Sequence, residues 1–438
     1  MKKLFTLLAI AYFAMMWAPV QAQERCATMD VLEQQLADDP TLQDRMDALE
    51  RKVQDWIAQQ DRSARGGFEV YTIPVVVHVV WVDSAENIPD SQVFSQMDVL
   101  NEDFRRMNAD TSETREVFKG VASDVGIEFC LATVDPDGNP TTGIVRTQGN
   151  PGFLGAFDPF TNNVKSTASG GVDPWPVDEY LNIWVCNIIS VPGLFELLGY
   201  AQFPQTMDDP AMPQDVNTDG VVIDVSVFGR EGDLLPGLDD GRTTTHEVGH
   251  WLGLRHIWGD GDCAADDLVS DTPLADAASG PDGSCPENLN SCVDTGAVDF
   301  PNMIENYMDY TNCQNMFSAE QALRMRGFLL NDPMRFSLTQ SNKCSANVSI
   351  EDELNDQLLN SMSLYPNPSS GIFEVDFDRT GVRETVIRIV DTRGAVITEV
   401  KDNGQGSYRF DLTDKPAGIY FVKVQTDQAT AVKKVVRH

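Results

Sequence analysis

Positive charge is scarce in this 438-residue chain: 32 Lys and Arg stand against 67 Asp and Glu, a formal net charge of −35. A surface so acidic repels phosphate backbones, which excludes nucleic acid as a partner. Long apolar runs are also few. After Leu4 to Val20 no stretch is apolar for long enough to cross a bilayer, so no transmembrane segment is expected in the mature chain. Internal repeats are absent, and a hydrophobic content of 42% rules out wholesale disorder. Histidine is rare as well, at 5, and its placement decides the functional reading.

The chain opens with a short basic region, Met1-Lys2-Lys3, followed by the apolar run and the small residues of Val20-Gln21-Ala22. That order is a signal peptide over residues 1–22. Acidic residues follow soon after and no stop-transfer charges do, which favours cleavage over a membrane anchor. Export makes disulfides admissible for the eight cysteines, Cys26, Cys130, Cys186, Cys263, Cys285, Cys292, Cys313 and Cys344. The four from Cys263 to Cys313 crowd into a stretch rich in Gly, Pro and Asp, where two bridges would brace irregular chain. Spacing leaves their pairing open.

Three segments follow. Residues 23–65 are polar and helical, with Met46, Leu49, Val53 and Trp56 on one face. Arg62-Ser63-Ala64-Arg65-Gly66-Gly67 then suits proteolytic nicking, so a removable pro-segment is expected. Residues 66–345 read as α/β, a mixed sheet with packed helices. The run Ile73 to Trp81 is the β-branched pattern of a strand buried on both faces, and His78 within it reads as a core residue. A helix with Val93, Met97, Leu100 and Phe104 on one side follows, then strands over Ile127–Val134, Tyr180–Ile189, Gly199–Phe203 and Val221–Ile223. After a linker at 346–360, residues 361–438 carry short alternating runs typical of a small all-β, Ig-like sandwich.

The stretch His246-Glu247-Val248-Gly249-His250-Trp251-Leu252-Gly253-Leu254-Arg255-His256 carries the chemistry. On a helix His246 and His250 lie one turn apart on the same face, so both imidazoles can reach one zinc ion. Glu247 sits beside them as a general base for the attacking water. Gly253 can take a positive φ, stop the helix and swing His256 round as third ligand. Three neutral nitrogens leave a fourth position open, the mark of a catalytic site. Chance alone would give these five positions with a probability on the order of a few in a million.

The extended motif, with Asn306-Tyr307-Met308-Asp309-Tyr310 downstream, resembles that of the metzincin metallopeptidases and their Met-turn. Within them the chain is similar to the pappalysin family, on His246 to Leu254 and on Leu100-Asn101-Glu102-Asp103-Phe104, Tyr180 to Val185 and Val269 to Pro273. The resemblance implies a zinc endopeptidase acting on proteins or peptides. It implies that Met308 floors the metal site and that Tyr310 stabilises the tetrahedral intermediate. It further implies that Gly199–Phe203 pairs with extended substrate, and that Asp267, Asp271 and Thr272 offer oxygens to a calcium ion. Members that prefer a basic residue after the scissile bond tend to carry acids soon after the Met-turn tyrosine. Thr311 to Phe317 has none, so the expected S1′ pocket lacks that carboxylate.

Cys26 lies in the pro-segment, ahead of the catalytic part. A thiolate is a strong zinc ligand, and Cys26 is expected either to block the metal site as a cysteine switch or to pair in a disulfide. Leu364-Tyr365-Pro366-Asn367-Pro368-Ser369-Ser370-Gly371, Lys415 to Val422 and the basic tail Lys433 to Arg437 resemble C-terminal sorting domains of type IX secretion substrates, which makes that machinery an expected partner. Together these point to a secreted, outer-surface or extracellular zinc endopeptidase made as a latent precursor. The rival is a cell-surface binding or adhesin-like protein retaining a metal site without turnover. Glu247 argues against it, because a structural site needs no base beside the metal.

Overall fold

The structure is a computed structural model describing residues 25–438 apart from 61–68, 153–155, 190–196, 206–215, 295, 297, 345–357, 360, 378–384, 392–394, 402–406 and 427–429. The expected signal peptide, the basic stretch Arg62–Gly67 and most of the linker lie outside the described residues. The chain forms two compact units, Met1–Ser345 and Ala346–His438. Among the described residues no helix is long and apolar enough to cross a membrane.

The first unit opens with two helices, α1 (Thr28–Asp38) and α2 (Leu42–Ala58). Then come β1 (Tyr71–Trp81), α3 (Asp90–Phe104), β2 (Ala122–Ser123), β3 (Ile127–Leu131), β4 (Ile144–Gln148), β5 (Leu181–Cys186), β6 (Gly199–Ala201) and β7 (Val221–Asp224). The active-site helix α4 (Arg242–Trp251), β8 (Phe317–Ser318), α5 (Ala319–Asn331) and α6 (Pro333–Leu338) complete it. The main sheet runs β3-β1-β5-β7-β6, with β4 also pairing to β1. All its pairings are parallel except the edge strand β6, which runs antiparallel to β7. Gly199–Ala201 is thus the edge strand expected, shorter by two residues, while β4 escaped the sequence reading.

Strand β1 is buried from Ile73 to Val80, as its unbroken β-branched run requires. Val93, Met97, Leu100 and Phe104 of α3 pack in one core with Ile73, Val75 and Val77 of β1 and with Val248 and Trp251 of α4. That shared core fixes the active-site helix against the sheet. His78 is buried, stacks on Trp184 at 5.3 Å and hydrogen-bonds Asn182 Oδ1 at 2.9 Å, the core role expected. Cys263–Cys292 and Cys285–Cys313 brace the loop after the third histidine, and Cys130–Cys344 ties β3 to the end of the unit. Cys26 and Cys186 are buried free thiols.

The second unit has a three-stranded sheet, β13-β10-β9, and a four-stranded one, β12-β11-β14-β15. Their ranges are β9 (Ser363–Tyr365), β10 (Ile372–Asp376), β11 (Thr385–Asp391), β12 (Val396–Lys401), β13 (Ser407–Asp411), β14 (Gly418–Thr426) and β15 (Thr430–Arg437). All pairings are antiparallel, and alternate residues such as Phe373, Val375, Ile387, Ile389, Val422 and Val424 fill one core.

Candidate metal centre

Helix α4 buries His246, Glu247 and His250 completely or nearly so. It ends where it does because Gly253 takes φ +88° and accommodates no side chain: a Cβ there would lie 2.1 Å from Phe328 Cδ2. The turn brings His256 back to the helix. His250 Nε2 lies 3.1 Å from His246 Nε2 and 3.2 Å from His256 Nε2. Each ring has its other nitrogen committed. Nδ1 of His246 donates to Tyr307 O at 2.7 Å, that of His250 to Leu254 O at 2.7 Å, and that of His256 to Asp260 Oδ1 at 2.5 Å. Carbonyls only accept, so the protons of His246 and His250 sit on Nδ1 and their Nε2 lone pairs face inward.

Converging lone pairs without a proton between them repel, and a cation resolves the conflict. Tetrahedral zinc about 2.0–2.1 Å from each nitrogen would space them roughly 3.3 Å apart, so the donor set fits that ion. Burial and the neighbouring rings hold His246 down to about 3 and His250 well below the usual histidine range, which keeps both neutral as ligands must be. Cys26 Sγ joins the three histidines, with all four donor atoms within 4.8 Å of one another. Among the described residues they form the one such group of His, Cys, Asp and Glu.

Glu247 is buried and pushed up to about 8 by loss of solvent. Its Oε2 accepts from Thr28 Oγ1 at 2.9 Å and from Cys26 Sγ at 3.5 Å, while Oε1 has no partner. Met308 lies beneath α4, so close that a Cβ on Gly249 would fall 2.6 Å from its sulfur. Tyr310 is buried with its hydroxyl 3.2 Å from His256 Nε2. The residues singled out at the motif and the Met-turn therefore meet at one point. Asp267, Asp271 and Thr272 line another cavity together. Thr272 Oγ1 donates to Asp267 at 2.9 Å, whereas Asp271 accepts from Ser318 Oγ at 2.5 Å and Glu320 N at 3.0 Å, at the start of α5.

Several contributors escaped the sequence reading. Thr28 occupies Glu247, and Asp260 orients His256 from a left-handed backbone position (φ +59°). Asp103 accepts from Tyr307 Oη at 2.6 Å and Thr245 Oγ1 at 2.7 Å, binding α3 to both the Met-turn and the active-site helix. The small cavity beside the metal centre is lined by Leu238, Asp240, Thr243, Asp309 and Asn312, with Arg25 on its wall. Asp240 and Asp309 both precede Tyr310 in the chain. Asp260 alone had a usable signal, a carboxylate one helical turn's spacing beyond the third histidine.

A parallel–antiparallel sheet whose edge strand overhangs a three-histidine centre floored by methionine defines a metzincin metallopeptidase. The family model described as pregnancy-associated plasma protein-A, peptidase family M43, matches residues 169–330. An extracellular metalloprotease of Arthroderma benhamiae is 33% identical over 261 residues, covering 58% of this chain and 71% of that protein. The structure of Tannerella forsythia mature mirolysin in complex with a cleaved peptide is 44% identical, covers 64% of this chain and 98% of that one, and superposes with a TM-score of 0.55. A promirolysin mutant from the same organism is 39% identical, covers 74% and 98%, and has a TM-score of 0.60. The chain belongs to the pappalysin family of zinc metalloendopeptidases. Its residues 363–438 match a secretion system C-terminal sorting domain, which directs it by type IX secretion to the outer surface or beyond.

Proposed function

We propose that this secreted metalloprotease is made as a latent zymogen in which the pro-segment holds the catalytic groups apart from substrate. The observation that carries the proposal is the meeting of Cys26, Glu247 and three histidine nitrogens at one buried point. His246, His250 and His256 would hold zinc. When bound, zinc supplies a Lewis acid that polarises the scissile carbonyl and acidifies the attacking water. Glu247 takes that water's proton and passes it to the leaving amine. Its raised proton affinity suits a group that must carry the proton between the two steps. Tyr310 donates its hydroxyl to the developing oxyanion.

Latency would rest on contacts of three kinds. Cys26 offers its sulfur as fourth ligand. Thr28 and Cys26 occupy Oε2 of the general base. The backbone takes the edge of β6: Ala27 N donates to Gly199 O at 3.0 Å, Leu198 N to Arg25 O at 2.8 Å, and Ala201 N to Thr28 Oγ1 at 2.8 Å. An extended substrate would need those groups. The proposed organisation is a signal peptide at 1–22, pro-segment at 23–65, peptidase at 66–345, linker at 346–360 and sorting domain at 361–438, the last engaging the type IX machinery. Asp240 and Asp309 beside Arg25 support a pocket for a basic side chain after the scissile bond. Asp267 and Thr272, with Asp271 close in sequence, remain our proposed calcium donors; both carboxyl groups are raised by burial, which a cation would relieve.

The test is the zinc-loaded full chain carrying both Cys26→Ala and Thr28→Ala on a denatured protein mixture, with Glu247→Ala added as control. Mass spectrometry reads the new termini. Cuts made only where Glu247 is present, preceding Arg or Lys, are expected. A zinc-holding chain that cuts nothing even after residues 25–58 have been removed from it would favour a binding protein with a silent metal site.

A further inference from the structure

The pro-segment touches the catalytic unit in a second place, on the far side of the third-histidine turn. Leu49, Val53 and Ile57 of α2 form a small buried cluster of their own with Leu323 and Phe328 of α5, with Trp56 packed against it. Gly327 lets the helices close: a Cβ there would fall 2.8 Å from Val53 Cγ1. Beside the apolar strip, Arg324 donates through both terminal nitrogens to the two oxygens of Glu50, at 2.7 and 2.8 Å. Its Nε donates to Gly253 O at 2.9 Å. The guanidinium is nearly fully buried, and the pair pulls Glu50 below the usual carboxylate range despite its burial. A fork-to-fork pair of this kind is specific in geometry as well as strong.

None of these contacts involves the metal or β6. Resting on the latency reading above, we infer that α2 is an independent second anchor that keeps the pro-segment seated on α5 after the chain is cut between 61 and 68. The first cut then yields a nicked, still blocked enzyme. Release takes a further event, either cleavage within residues 28–58 or loss of the α2 contact. The face that accepts α2 suits one kind of partner, an amphipathic helix with an aliphatic stripe at i, i+4 and i+8 and a carboxylate one residue past its first apolar position. Leu49, Glu50, Val53 and Ile57 present that pattern.

The experiment uses the full chain with Glu247→Ala, so that it cannot cut itself, and Cys26→Ser, so that the thiol contributes nothing. A recognition site for an unrelated specific protease replaces residues 62–66, and the cut protein is run on size exclusion. The pro-segment is expected to co-elute with the remainder. Val53→Asp, or separately Glu50→Lys, should raise its dissociation constant on the order of 100-fold, enough to separate it at micromolar concentration. Pro-segment lost with α2 intact, or retained in both variants, overturns the inference. An uncut chain with Glu247 and Cys26 in place that already hydrolyses substrate would instead sink the latency reading and leave the retention result standing.

Discussion

Asp260→Ala is the substitution whose effect the geometry fixes most closely. Two of the three histidines are oriented by backbone carbonyls, which mutation cannot remove, but His256 donates to a side chain at 2.5 Å. The Asp260 side chain is only 20% exposed, so the bond is charge-assisted and poorly screened. Trp258 stacks on His256 with centroids 4.3 Å apart and will hold the ring in place when the carboxylate is gone. What is lost is the fixed tautomer and the added basicity of Nε2. Loss of such a partner weakens metal binding about 10- to 100-fold, or about 1.4–2.7 kcal/mol. The assay is competition for zinc against a chromophoric chelator, with Cys26→Ser in every sample so that three histidines alone are compared. Asp260→Asn, which keeps an acceptor without the charge, should fall between the two. Zinc affinity unchanged within twofold in Asp260→Ala would refute the argument.

Other outcomes follow from the same structure. Gly253→Ala must place a methyl group into Phe328 at a positive φ, so thermal unfolding should report a loss of at least about 2–4 kcal/mol. If Tyr310 is an oxyanion donor, Tyr310→Phe should lower kcat about 100-fold with zinc content unchanged; equal kcat would show the hydroxyl to be a packing group. Burial lowers His78 to about 4, so below pH 6.5 the unfolded chain binds a proton that the folded one refuses. Stability should therefore fall with pH between 6.5 and 4, by about 3 kcal/mol in full, and in urea unfolding His78→Phe should lose that component. If calcium binds at Asp267, Asp267→Ala should abolish any calcium-induced rise in melting temperature, while zinc content stays the same.

The site was legible where covalent geometry enforces it. Four-residue spacing on a helix and a glycine at a left-handed turn leave His246, His250 and His256 little choice but to converge. Strands buried on two faces, such as β1, were equally plain, because their pattern answers to burial alone. Strand β4 was not: Ile144 to Gln148 is half exposed and mixes charge with β-branched residues, so only its pairing with β1 makes it a strand. Tertiary contacts also hid Thr28 and Asp103, which reach the site from 219 and 142 residues away in the chain. Folding also gathers acids that the chain keeps apart: Asp240, from before α4, and Asp309 line the same cavity beside the metal centre.

The pro-segment contacts also change how a single cysteine substitution should be interpreted. If Cys26 is the fourth ligand, removing its sulfur frees that position, yet the Thr28 hydroxyl would still hold Glu247 at 2.9 Å and the backbone would still cover β6. Groups acting as a unit are not additive, so a Cys26→Ala chain that stays silent does not by itself disprove a role for the thiol. The converse is more informative. Thr28→Ala leaves Glu247 Oε2 with Cys26 alone, and water reaching the carboxyl would undo the burial that lifts it to about 8, favouring the ionised form that can accept a proton. In the latency we propose, the block belongs to the whole segment from Arg25 to Thr28, each residue of which contributes a different atom: a carbonyl, a thiol, an amide and a hydroxyl.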